Sequence, residues 1–218
     1  MKEQAKKGIT EIVFILDKSG SMSGYESDTV GGFNSMLERE QKDDGEAYVT
    51  TVLFSSDATR LHDRLPIGEV KPMTEEEYCV GGCTALLDAI GDTVQHISNI
   101  HKYVRPEDVP TKTLVVITTD GEENASRRYS KAKISEMIKE KTDKCGWEFV
   151  FLGAGIDAVE EAGELGIPET HAAEYRLDRG GSRRAYRAIG SVINGARYSR
   201  SCFIRDFADE LMSEEEEK

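Results

Sequence analysis

Two aspartates close apolar runs: Asp17 ends "ITEIVFILD" and Asp120 ends "TKTLVVITTD". Ser19 and Ser21 alternate in the loop after Asp17, and Thr84 opens a helical pattern just after Gly81 and Gly82. Carboxylates and hydroxyls, with no cysteine or histidine among them, form an oxygen-only donor set. That chemistry suits a hard cation that keeps several waters, Mg²⁺, with Mn²⁺ able to take the same ligands. The competing reading is plainer. Ser and Asp are common turn residues and Thr is a good helix N-cap, so the same groups can satisfy loop backbone with no metal.

The elements that must carry these residues follow from periodicity. Short apolar or β-branched runs predict strands at 9–17, 46–56, 58–67, 111–120, 147–155 and 171–177, with 58–67 as the return strand of a hairpin. Helical spacing predicts helices over 28–42, 83–104, 130–144, 157–165 and 181–199. In the second of these, Leu86, Leu87, Ile90, Val94, Ile97 and Ile100 share one face. Near-continuous apolar strands alternating with helices imply a mostly parallel, doubly wound sheet covered on both faces, an α/β fold of Rossmann-like type. Parallel strands end on one side, so Asp17 and Asp120 reach the same sheet edge, where such folds bind ligands. Two carboxylates side by side repel, and a divalent cation relieves this.

Three segments resemble the signatures of the von Willebrand factor type A domain: "DKSGSM" at 17–22, "GGCTALLDAI" at 81–90 and "TTDGEEN" at 118–124. The resemblance covers roughly residues 9–200, and the three segments occur in the family's order. It implies a six-stranded sheet with one antiparallel edge strand, and a metal-ion-dependent adhesion site formed by Asp17, Ser19, Ser21, Thr84 and Asp120. It further implies that the hydroxyls bind the ion directly while the aspartates act partly through water. An ion held mainly by neutral groups keeps much of its charge, so it is expected to take a Glu or Asp from a protein partner. Gly82, Glu122 and Glu123 are expected on the partner-facing rim. The function expected is therefore a metal-dependent protein-binding module, with an ATPase or other complex subunit among the partners the resemblance admits. The alternatives are a Mg²⁺-dependent phosphoester hydrolase and a metal-free structural subunit of a larger complex. The hydrolase lacks support from a P-loop or from a second Asp two residues after Asp17. Moreover, His62, His96, His101 and His171 lie away from the motifs, in solvated or capping positions.

The 218 residues fit one domain, read as an N-terminal extension over 1–8, the domain over 9–205 and an acidic tail over 206–218. With 41 acidic against 28 basic residues, the net charge of −13 disfavours nucleic acid and anionic membranes. A local exception is the run of Arg179, Arg183, Arg184, Arg187, Arg197, Arg200 and Arg205, read as a solvated helix face. Cys79 and Cys83 have no second ligand pair at zinc spacing, and with Cys145 and Cys202 they read as reduced thiols. No leader or membrane span is legible, which sets the expectation of a cytoplasmic protein.

Overall fold

The computed structural model describes residues 8–178, 180–198 and 203–213. Its six strands are β1 (Thr10–Asp17), β2 (Ala47–Phe54), β3 (Ala58–Pro66), β4 (Lys112–Thr119), β5 (Glu148–Gly153) and β6 (Ala172–Glu174). They form one sheet in the order β3-β2-β1-β4-β5-β6. All neighbours are parallel except the β2–β3 hairpin at one edge. The helices are α1 (Glu26–Gln41), α2 (Leu86–Tyr103), α3 (Lys131–Cys145), α4 (Ala158–Glu164), α5 (Gly181–Arg197) and α6 (Ala208–Met212). The mostly parallel sheet with helices on both faces is the expected class.

β1 shows why the strands read as unbroken apolar runs. Its Ile12, Phe14 and Leu16 enter one core with Phe33 and Met36 of α1 and Ile189 and Ile193 of α5. Its Val13 and Ile15 enter the other with Leu86, Ile90 and Val94 of α2 and Ile134 and Ile138 of α3. Side chains alternate across a strand, so a strand covered on both faces must be apolar at every position. β1 and β4 thereby become the two central strands, and their C-terminal ends lie side by side.

Two boundaries differ from expectation. Only Ala172–Glu174 of the run 171–177 pairs with β5, because the chain then turns away and the Arg176 N–H donates to the Leu211 carbonyl. The segment set apart as an acidic tail supplies that carbonyl. It contributes α6, whose Leu211 is fully buried in the α1–α5 core. Residues 214–218, the rest of that segment, lie outside the described residues, as do 1–7 of the extension. Among the described residues, no helix is long and apolar enough to cross a membrane.

Candidate functional site

Asp17 and Asp120 meet at the sheet edge as their strand ends require. Asp17 is buried, 2% exposed, and Asp120 is half-buried. One Asp17 carboxylate oxygen accepts the Ser19 N–H at 2.7 Å and the other accepts the Thr119 hydroxyl at 2.7 Å. Residues 20–22 form a short 3-10 turn that aims Ser21 across the edge. The Ser21 hydroxyl donates to Asp120 at 2.7 Å and lies 3.0 Å from the Ser19 hydroxyl. Thr84 is buried, and a Cβ built on Gly121 would sit 3.3 Å from its Oγ1 and 3.7 Å from Ser21 Oγ. Gly121 therefore leaves room where the two hydroxyls approach.

The electrostatics of the pair are unrelieved. Among the described residues, no lysine, arginine or histidine is ion-paired with either carboxylate. Burial pushes the Asp17 carboxyl above the ordinary 3.8, against the pull of the Thr119 and Ser19 hydrogen bonds. Burial likewise raises Asp120, and the neighbouring Asp17 charge raises it further. Charges withdrawn from water without a partner are costly.

The loop carrying Thr84 is clamped to both neighbours. Gly20 N–H donates to the Gly82 carbonyl at 3.0 Å, and Gly81 N–H donates to the Lys18 carbonyl at 2.9 Å. Gly81 and Gly82 adopt φ of 156° and 84°, backbone that side chains resist. On the other side the Asn124 side-chain carbonyl accepts the Thr84 N–H at 3.0 Å, and Asn124 N–H returns to the Thr84 carbonyl at 3.1 Å. Thr84 does not cap α2. The N-cap position is Ala85, and the first-turn donors are met from the loop after β4. There, Leu87 N–H donates to Glu123 at 2.9 Å and Asp88 N–H to the Ser126 hydroxyl at 3.0 Å. The Thr84 hydroxyl is thus released from the helix-capping role that Thr commonly plays.

The rim residues are not equivalent. Gly82 and Glu122 are exposed beside the site. The Glu123 carboxylate instead turns inward and accepts the N–H groups of Leu87, Ala125 and Ser126, together with the Ser126 hydroxyl. Asp88 answers from α2 by accepting the N–H groups of Arg127, Arg128 and Tyr129. Beside Thr84 opens a cleft of about 580 Å³ between the β2–β3 turn, α2 and this loop, with Asp57 on one wall and Arg127 on the other.

Other expected features resolve into structural roles. His96 pairs with Asp63 and His101 with Glu11. His62, expected in a solvated or capping position, is buried against the Thr51 hydroxyl. The arginine run is not a free basic face. Arg183 approaches Asp28, Arg184 pairs with Asp178, Arg187 with Glu210, Arg197 with Glu40 and Arg205 with Glu169. Arg184 and Arg197 are buried in these pairs rather than solvated, while Arg179, Arg200 and Cys202 lie outside the described residues. Cys79, Cys83 and Cys145 are exposed free thiols. Among the described residues, no group of three or more His, Cys, Asp or Glu is placed to hold a metal. The candidate site has two carboxylates and three hydroxyls, a different donor set.

The fold resembles that of von Willebrand factor type A domains. A von Willebrand factor type A protein from Catenulispora acidiphila superposes with a TM-score of 0.59 and 13% identity, covering 84% of this chain and 42% of that one. Proximal thread matrix protein 1 from the mussel byssus gives 0.56 and 19%, covering 85% and 46%. The minor pilin PilB from Streptococcus sanguinis gives 0.60 and 12%, covering 92% and 65%. This chain spans less than half the length of the first two. No protein-family model and no curated protein sequence matches it. These likenesses overturn the cytoplasmic expectation, since a byssal matrix protein and a pilin are extracellular or surface proteins. That expectation rested on an illegible leader and on thiol chemistry.

Proposed function

We propose that this chain is a divalent-metal-dependent protein-binding module, in which Asp17, Ser19, Ser21, Thr84 and Asp120 hold Mg²⁺, or Mn²⁺ in its place. The observation that carries the reading is the pair of un-neutralised carboxylates, Asp17 and Asp120, with the Ser19 and Ser21 hydroxyls turned toward them rather than toward loop backbone. Oxygen donors of this kind fit a hard cation. A bound ion would supply positive charge at the sheet edge for a carboxylate of a protein partner. Ser21 and Asp120, on the exposed side, then border the partner's Glu or Asp, while Asp17 and Thr84 anchor the site from within. Exposed Gly82 leaves the approach open, and Glu122 biases the choice among acidic partners by repulsion.

Calorimetric titration of Mg²⁺ and Mn²⁺ into chelator-treated protein tests this, beside Asp17→Ala and Asp120→Ala. Saturable one-site binding that both substitutions abolish is the expected result. Wild-type protein without saturable binding, or variants that bind as it does, would overturn the proposal.

A further inference from the structure

We infer that Tyr78 is a positioning residue of this site: it fixes the spacing between Asp17 and Thr84, and with it the preference for a small cation. The inference rests on the metal reading above.

Three consecutive rungs join the loop 78–82 to residues 17–20. The Tyr78 hydroxyl donates to the Asp17 main-chain carbonyl, Gly81 N–H to the Lys18 carbonyl at 2.9 Å, and Gly20 N–H to the Gly82 carbonyl at 3.0 Å. The second and third are backbone to backbone, whereas the first is made by a side chain. It falls where β4 stops pairing with β1, since the β1–β4 register ends at Leu16–Thr118, one residue short of Asp17, and β2 alone continues to pair there through Phe54. Tyr78 is fully buried, and its ring packs in the core that holds Met22 and Val30. The chain leading to it is itself held, because the Asn34 side chain bonds both the N–H and the carbonyl of Met73 at 2.8 Å. Tyr78 therefore links a fixed platform on α1 to the residue that carries one carboxylate, six positions before the residue that carries the third hydroxyl.

Spacing matters because Mg²⁺ demands near-ideal octahedral geometry at short bond lengths, while Ca²⁺ accepts longer and more variable ones. A residue that holds ligands apart at a set distance should therefore matter more for Mg²⁺ than for Ca²⁺. Loss of fold alone would weaken both ions together.

The test titrates Mg²⁺ and, separately, Ca²⁺ into the full chain and into Tyr78→Phe, with thermal unfolding in chelator alongside. Losing an outer-shell partner weakens metal binding about tenfold or more, so Mg²⁺ affinity should fall by that factor while Ca²⁺ affinity falls by less than about threefold. Gly82→Ala is the second perturbation. It strains the third rung, since Gly82 has φ 84° and a Cβ there would lie 2.7 Å from Ser56 Oγ. It should lower the Mg²⁺ to Ca²⁺ preference in the same direction, and it carries the test if Tyr78→Phe does not fold. An unchanged preference in the folded variants would overturn the inference while leaving the metal site standing. Wild-type protein that binds neither ion saturably would overturn both.

Discussion

Replacing Glu123 by Ala separates two roles that one carboxylate beside the site could play. On the rim it would act on partner affinity and leave folding alone. In the structure it accepts four hydrogen bonds: Leu87 N–H at 2.9 Å, Ala125 N–H at 2.8 Å, Ser126 N–H at 2.6 Å and the Ser126 hydroxyl at 2.7 Å. The first serves as the N-terminal cap of α2 and the others close the loop after Asp120. Loss of a cap costs about 1 kcal/mol, and loss of charge-assisted bonds costs about 1.5–3 kcal/mol each when nothing replaces them. Water reaches this half-buried loop and replaces part of that, so the net loss should be about 2–3 kcal/mol. For a domain of this size each kcal/mol moves the melting temperature by about 2–4 °C, which gives a fall of about 4–12 °C. Thermal unfolding followed by circular dichroism in chelator measures it without contribution from metal. Glu123→Gln keeps one acceptor oxygen and should fall between wild type and Ala. A Glu123→Ala protein melting within about 1 °C of wild type would refute the capping argument, since about 2–3 kcal/mol cannot hide in so small a shift.

Further outcomes follow from the same geometry. In chelator, Asp120→Asn should melt above wild type because it removes one of two repelling carboxylates. Mg²⁺ at a hundred times its dissociation constant should stabilise wild type by about 2.7 kcal/mol, and Asp120→Asn should lose that gain. The pH dependence has two opposed parts. Burial holds the Asp17 and Asp120 carboxyls above 3.8, so the metal-free native state binds more protons than the unfolded chain, and stability declines as pH rises from 3.8 through the raised values. Burial also opposes the charge of Asp88, but the N–H groups of Arg127, Arg128 and Tyr129, with the Arg128 guanidinium, outweigh it and hold Asp88 below 3.8. Its stabilisation is lost as pH falls through that depressed value. Denaturant titrations across pH should show Asp120→Asn flattening the upper slope and Asp88→Asn the lower one. Gly91→Ala should destabilise α2 despite the better helix propensity of Ala, because the new Cβ would lie 2.6 Å from the Tyr129 ring. Overpacking of about 1–3 kcal/mol against about 1 kcal/mol of propensity gives a net loss of up to about 2 kcal/mol, which urea unfolding measures.

What the sequence made legible was whatever depends on local pattern. The apolar runs ending in Asp17 and Asp120 imply strands, and parallel strands imply that their ends coincide. No comparable signal marks Tyr78, and nothing local shows the bonds that Thr119 and Asp88 make or that Glu123, expected on the rim, turns inward. Each acts on groups brought near only by the finished fold: Tyr78 on a carbonyl 61 positions away, Thr119 on a carboxylate 102 away and Glu123 on an N–H 36 away. Leu211 was hidden for another reason. Ile204, Phe207 and Leu211 do stand at helical spacing, but the run is short and its acidic surroundings read as a tail, while its burial depends on the edge that β6 leaves open.

The adjacency of β1 and β4 also sets a time order. A chain leaving the ribosome presents Asp17, Ser19 and Ser21 early, but the strand that carries the opposing carboxylate is still to be made. Closing a pairing over about a hundred residues is an entropically late event. A ligand at this edge therefore cannot guide the first steps of folding. It can only lock a sheet whose centre is already assembled, which makes occupancy a reporter of β1–β4 pairing.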